Sequence, residues 1–238
     1  MTLDPDDIYG LIPARGGSNR ISRKNLATIG DKPLVAHSIQ SALDTSFFDD
    51  VYVSTDDEEI ADVARTYGAT VPSMRPDRLA TDASTVVDVS LHFLDEMARD
   101  GHSIKHLCVL LPTTPLRNAT DIEETIRLYD RTSARYAMAV TEYFYPPWQA
   151  LEREGHSLDP FWTSEEIEQR TQELPDLCVD SGAVYVVRTS AFREEKTFSG
   201  DELVGYDFPP ERAIDIDEQF QLKLARLLHN NSFPGDPS

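Results

Sequence analysis

Short apolar runs alternate over roughly the first 140 positions with longer stretches whose apolar residues recur every three or four. Ile8-Tyr9-Gly10-Leu11-Ile12 and His106 to Leu111 are apolar on both faces, as strands inside a parallel sheet are. Asp50 to Thr55, Tyr136 to Thr141 and the shorter Ala69 to Pro72 read as further strands. Helices are predicted between them. One opens at Lys32-Pro33-Leu34 and buries Leu34, Ile39, Ala42 and Leu43. The next is capped by Asp56 with Glu59, carries Ile60, Val63, Ala64 and Tyr67, and stops at Gly68. A third follows Ala80 to Thr85, and a fourth takes Thr120 and Glu123 as its capping box. This alternation predicts an α/β fold with a doubly wound, Rossmann-like, mostly parallel sheet. Ligands of such sheets lie beyond the carboxyl ends of the strands, where Ser54-Thr55-Asp56, Arg75 and Pro112 to Arg117 fall.

The alternation breaks after Thr141. Tyr143 to Trp148 and Phe161-Trp162 gather aromatics and prolines in an excursion assigned to residues 142–181, the mark of a functional segment or an interface. Gly182 to Val187 resumes as a sixth strand, and Glu218 to Leu228 forms a last helix. Residues 1–238 read as a single domain, with 230–238 a loose tail.

Charge changes the picture more than length does. The net charge is −20, and of 22 lysines and arginines only five are lysines (Lys24, Lys32, Lys105, Lys196, Lys223), leaving 17 arginines. Acidity with scarce lysine suits a salt-rich interior, so a halophilic source is expected. It excludes nucleic acid and anionic membrane as partners, since both need a basic face. With no apolar span of membrane length and an acidic start, the expected location is cytoplasmic. Cys108 and Cys178, far apart and in apolar surroundings, are expected as two buried thiols.

Against that background one loop stands out, Ile12 to Asn25. It sets Arg15, Arg20, Arg23 and Lys24 directly after the first strand, with Gly16 and Gly17 free to turn backbone amides inward. Cations and inward amides at a strand end point to a polyphosphate site. Neither a dinucleotide fingerprint nor a Walker loop is present. Ile214-Asp215-Ile216-Asp217 is the second local signal. In an extended segment both aspartates project to one face while the isoleucines enter the core. Two adjacent carboxylates call for a cation, and Mg²⁺ suits them because it takes one or two carboxylates plus phosphate oxygens and water. The plainer alternative is a helix cap using Asp217 alone.

Ile12-Pro-Ala-Arg-Gly-Gly-Ser18, Arg23-Lys24-Asn25, Val53-Ser-Thr-Asp-Asp57, Arg75-Pro76, Pro112-Thr-Thr-Pro-Leu-Arg117, Arg170-x-x-x-Leu-Pro175, Gly182-Ala183 and Ile214 to Asp217 run in one order over nearly the whole chain. Together they resemble the acylneuraminate cytidylyltransferases, the CMP-sialic acid synthetase group with its pseudaminic and legionaminic relatives. The resemblance implies a nucleotide-diphospho-sugar transferase type of fold and a reaction in which CTP and a nonulosonic acid give the CMP-sugar and pyrophosphate. It implies Arg15, Gly16, Ser18, Lys24 and Asn25 on CTP, with Arg15 and Lys24 toward the phosphates. Arg75 and the loop from Asp82 to Thr85, Ser84 foremost, would lie near cytidine. Arg170 and Tyr185 would lie near the sugar acid, Asp215 and Asp217 would hold Mg²⁺, and Arg15, Lys24 and Asp217 would serve catalysis. The excursion would pair subunits into a homodimer.

The chain departs from the family pattern at Asn19, where lysine is usual, and at Leu111 and Cys178 to Ser181, which bear on the sugar. Arg20 could compensate for Asn19. Two other readings stay open, another sugar nucleotidyltransferase of the Kdo or sugar-phosphate type, and a non-catalytic nucleotide-binding regulator.

Overall fold

The computed structural model describes residues 3–4, 7–162 and 176–230. A six-stranded sheet organises them. Its strands are β1 (Ile8–Pro13), β4 (Val51–Ser54), β5 (His106–Leu110), β6 (Tyr136–Glu142), β9 (Cys178–Arg188) and β10 (Leu203–Asp207), in the order β10-β6-β9-β5-β1-β4, while the short β2 (Thr28–Ile29) and β3 (Lys32–Pro33) pair apart from it. β1 runs parallel to β4 and β5, and β10 parallel to β6. β9 is antiparallel to both neighbours, so the sheet is mostly parallel, as expected, with one reversed strand. The chain leaves β6 at its carboxyl end and returns beside it with its direction reversed, Cys178 opposite Glu142.

β5 shows why the doubly wound arrangement forms. Cys108 and Leu110 point to one face, where α1 (Leu34–Leu43), α2 (Glu58–Thr66) and α4 (Ala119–Thr132) supply Ile39, Ile60 and Ile126. Leu107 and Val109 point to the other, against Phe93 and Met97 of α3 (Val86–Arg99) and Phe192 of α5 (Thr189–Glu195). From β1 the chain turns first toward β4 and then back past β1 to β5. That reversal opens a crevice at the carboxyl ends of β1 and β5.

The local signals moved by a residue or two. Asp57 caps α2, accepting from the Ile60 amide at 3.1 Å, which frees Asp56 for the cleft. Asn118 and Asp121 make the capping box of α4 in place of Thr120 and Glu123. Residues 69–72 contribute one bridge, Thr70 to Tyr52, rather than a strand. The sixth strand begins at Cys178, inside the expected excursion, and Cys178 is exposed, unlike buried Cys108. The last helix, α6, is Gln219–Asn230, so it takes in the first residue of the expected tail. Within the excursion β7 (Leu151–Glu154) and β8 (Ser157–Pro160) form an exposed hairpin.

Candidate active site

A separate apolar cluster sits under the crevice and joins distant parts of the chain. Ile21 of the cationic loop packs with Ile29 and Leu34, with Ile216 between the two aspartates, and with Leu222 and Ala225 of α6. The isoleucine thus enters a core as its alternation requires, and the flanking carboxylates are carried to the loop. The Ile216 amide donates to the Thr113 carbonyl at 2.8 Å, which ties the segment to the exit of β5. Arg212 holds its other end, with Nε 3.0 Å and Nη2 2.7 Å from the fully buried Asp121 carboxylate.

Each cation of the loop meets a carboxylate. Lys24 Nζ donates to Asp217 Oδ1 at 2.9 Å and to the Ile216 carbonyl at 2.8 Å. Arg20 approaches the other Asp217 oxygen at 3.1 Å, so it does share a side of the cleft with Lys24. Arg15 Nη1 lies 2.8 Å from Asp82 Oδ1, and Asn19 Nδ2 donates to Asp82 Oδ2 at 2.7 Å. Arg23, left-handed at φ 52, pairs with Asp57 and Glu59. Of the inward amides, Gly16 donates to Asp56 Oδ1 at 3.1 Å. Asn25, nearly buried, donates to the Arg15 carbonyl at 2.9 Å and so fixes the loop's turn.

Arg75 is buried, with Nη2 on the Ser54 carbonyl at 3.0 Å and Asp56 at 3.6 Å, while its Nε has no hydrogen-bond partner. Ser84 Oγ donates to the Arg78 carbonyl and meets Thr81 Oγ1, both at 3.0 Å. Arg15, Ser18, Lys24, Asn25, Arg75 and Ser84 face one crevice of about 250 Å³, with Leu111 to Thr113 opposite. Beside it lies a polar hollow of about 320 Å³ that adds Asn19, Arg20 and Asp217 and shares Arg15, Ser18, Lys24 and Asp82.

The two aspartates differ electrostatically. The Lys24 hydrogen bond, reinforced by Arg20, holds the Asp217 carboxyl below its ordinary value. Asp215 is exposed, but the protein mass around it pushes its carboxyl up. A Thr113 hydrogen bond opposes that rise and the charge of Asp217 adds to it. Asp215 thus feels the Lys24 charge without the ion pair that Asp217 makes with it. Among the described residues no three histidine, cysteine, aspartate or glutamate side chains converge as a metal cluster.

The expected sugar-side residues are placed less directly. Tyr185 is buried, and its hydroxyl donates to Asp180 Oδ2 at 2.7 Å; neither residue lines the crevice or the hollow. Burial and Asp180 push the phenol up. Arg170 lies outside the described residues. Two groups that the sequence placed at strand ends had no role assigned in the site. Arg117, almost fully buried, binds the Ala183 carbonyl at 2.6 Å and the Leu111 carbonyl at 3.2 Å, and burial pulls it down to about 10. Asp56 is the other. An arginine reads as surface in any local pattern, and the one hint was its place directly after an apolar strand.

A family model described as "Cytidylyltransferase" matches residues 9–144, from β1 through the end of β6. The chain belongs to this family. Pseudaminic acid cytidylyltransferase of Campylobacter jejuni is 31% identical over 219 residues, 92% of this chain and 94% of that one. CMP-N,N'-diacetyllegionaminic acid synthase of Legionella pneumophila is 31% identical over 198 residues, 80% of this chain and 82% of that one. Among solved structures, CMP:2-keto-3-deoxy-manno-octonic acid synthetase complexed with CTP superposes with a TM-score of 0.69 at 16% identity. It covers 95% of this chain and 100% of its own, a likeness of fold.

Proposed function

We propose that this cytidylyltransferase moves CMP from CTP to the anomeric hydroxyl of a nonulosonic acid, releasing pyrophosphate. The observation that carries the reading is that Arg15, Lys24 and Asp217 line one polar hollow beside the β1–β5 crevice, in a chain this similar to two synthases of CMP-nonulosonates. In-line attack on the α-phosphorus places growing charge on phosphate oxygens, so positioning and electrostatics carry the catalysis. Arg15 and Lys24 are the cations that meet that charge, with Gly16, Ser18 and Asn25 shaping the loop around the phosphates. Arg75 and Ser84 form the wall for cytidine. Arg170 and Tyr185 are assigned to the sugar acid.

Asp215 and Asp217 suit Mg²⁺. They are two hard oxygen donors on one extended segment, and the charge of Asp217 adds to the burial that raises Asp215, a repulsion that a divalent cation would relieve. The chemistry that Mg²⁺ supplies there is charge neutralisation at phosphate oxygens and acidification of the attacking hydroxyl.

The single domain with an inserted 142–181 excursion is read as a homodimer. Support comes from Phe144, Tyr145 and Phe161, exposed at 84%, 79% and 62%. The acidic, lysine-poor surface supports a halophilic source, and a CTP-dependent synthesis fits a cytoplasmic site. Among the described residues no helix is long and apolar enough to cross a membrane.

Pyrophosphate release, measured with Mg²⁺, each of the four nucleoside triphosphates and a panel of nine-carbon and eight-carbon keto acids, tests the reaction at low and molar salt. Release with CTP and a nonulosonic acid, abolished by chelation, is expected. No release with any pair at either salt refutes it, and preference for the eight-carbon acid or for UTP moves the enzyme to another branch. Light scattering of the eluted protein tests the dimer.

A further inference from the structure

We propose that Asp82 is a built-in counter-ion that bars the nucleotide path, so that a triphosphate binds by displacing it. The inference rests on the cleft being a nucleoside triphosphate site, as proposed above.

Three observations carry it. Both Asp82 oxygens are engaged, one by Arg15 at 2.8 Å and one by Asn19 at 2.7 Å, and Arg15 also reaches the Thr81 carbonyl at 3.2 Å. The tip of the loop before α3 is thereby strapped across the cationic loop after β1. Second, Asp82 and Arg15 line both the crevice and the polar hollow beside it. A ligand with its base in the first chamber and its phosphates in the second must pass the contact between them. Third, the contact is open to water, with the Arg15 and Asp82 side chains 37% and 66% exposed, while the stem of the strap is anchored. Ser84 bonds Arg78 and Thr81, and Thr85 caps α3. The tip can let go without unfolding the stem.

A carboxylate and a phosphate oxygen want the same donors, Arg15 Nη1 and Asn19 Nδ2. While Asp82 holds them it also repels an approaching polyanion. Asn19 is neutral, so Arg15 is the one cation in the contact and the exchange turns on a single ion pair. Exposed pairs are weak, which makes the strap displaceable, but a fixed carboxylate in the path taxes every binding event.

The test is calorimetric titration of CTP and of inorganic tripolyphosphate into the full-length protein, its Asp82→Asn variant and an Asp100→Asn control. The control removes the same charge from the far end of α3. Asp82→Asn should tighten both ligands about fivefold at about 0.1 M salt, and the gain should shrink below about twofold at 2 M, where screening acts within a few ångströms. The control should stay within about twofold of the parent. Misfolding would weaken binding, so a gain cannot come from damage. If the parent binds CTP but Asp82→Asn binds it equally or more weakly, or the control gains as much, the strap is refuted and the nucleotide reading stands. If Asp82→Asn gains on tripolyphosphate while neither protein binds CTP, the strap stands and the CTP reading falls. Binding of neither ligand to either protein refutes both.

Discussion

Asp121→Asn should cost far more stability than its place on a helix surface suggests. The Asp121 side chain is wholly buried and accepts two charged hydrogen bonds from Arg212, at 2.7 and 3.0 Å, while closing the capping box with the Asn118 amide at 3.0 Å. Asparagine keeps one acceptor for Asn118 but removes the charge. Hydrogen bonds to charged groups contribute about 1.5–3 kcal/mol each, and breaking one partner of a buried pair costs about 3–5 kcal/mol. Arg212 is 20% exposed and can turn toward water, which places the expected loss near the lower end, about 3 kcal/mol. For a domain of this size that lowers the melting midpoint by roughly 6–12 °C. Urea unfolding with an unchanged slope measures it directly. Arg212→Met added to Asp121→Asn should recover part of the loss, because it removes a partly buried guanidinium whose carboxylate is gone. A loss below about 1 kcal/mol, or no recovery in the double variant, would refute the account. Since Arg212 leads into Ile214 to Asp217, nucleotide affinity should fall as well.

Other expectations follow from the same geometry. In Gly16→Ala the new methyl would stand 2.7 Å from Asp57, which caps α2 and holds Arg23, so a loss of about 1–3 kcal/mol and weaker CTP binding are expected by urea unfolding and calorimetry. An undisturbed variant would show that the loop yields freely. Asp215→Asn should raise the melting midpoint of the ligand-free protein near neutral pH, because it removes a carboxylate whose ionisation burial opposes, while abolishing pyrophosphate release; a lower midpoint refutes this. Burial lowers His37 and His106, so each resists protonation in the fold. Their contribution is complete above the unfolded value of 6.5 and is lost as pH falls from there toward the folded values, so stability should decline on that side. His106→Gln should flatten the decline, and an unchanged slope refutes the role.

Legibility followed the range of the interactions. β1 and β5 were plain because a strand buried on both faces is written in consecutive residues, and Ile214 to Asp217 because alternation needs only four. Both strand ends that border the crevice were therefore readable. β10 was missed because it is an edge strand whose residues are exposed or half-buried in turn, so Leu203 to Asp207 carries no continuous apolar run. The direction of β9 depends on how the excursion returns, which no local pattern records. The caps shifted because Asp56 and Asp57 are equivalent in sequence. The tertiary fold separates them, giving Asp57 to α2 and Arg23 and giving Asp56 to the Gly16 amide and Arg75.

That separation explains why the cationic loop looked simpler in sequence than it is. Four cations within ten residues repel one another, and a loop that carried them unpaired would not hold one shape without ligand. The chain answers with carboxylates from far along it: Asp57 and Glu59 before and within α2, Asp82 before α3, and Asp217 before α6. An acidity that seemed a matter of surface and salt is in part recruited to the site. The consequence for binding is that a triphosphate gains little from meeting Arg15 or Lys24 as such, because each already has a partner of the same charge type. The gain comes from what the exchange sets free. On the Mg²⁺ reading proposed above, Asp217 released by Lys24 and Arg20 would share a divalent ion with Asp215, and nucleotide and metal affinities would be coupled through Lys24, each raising the other by the same factor.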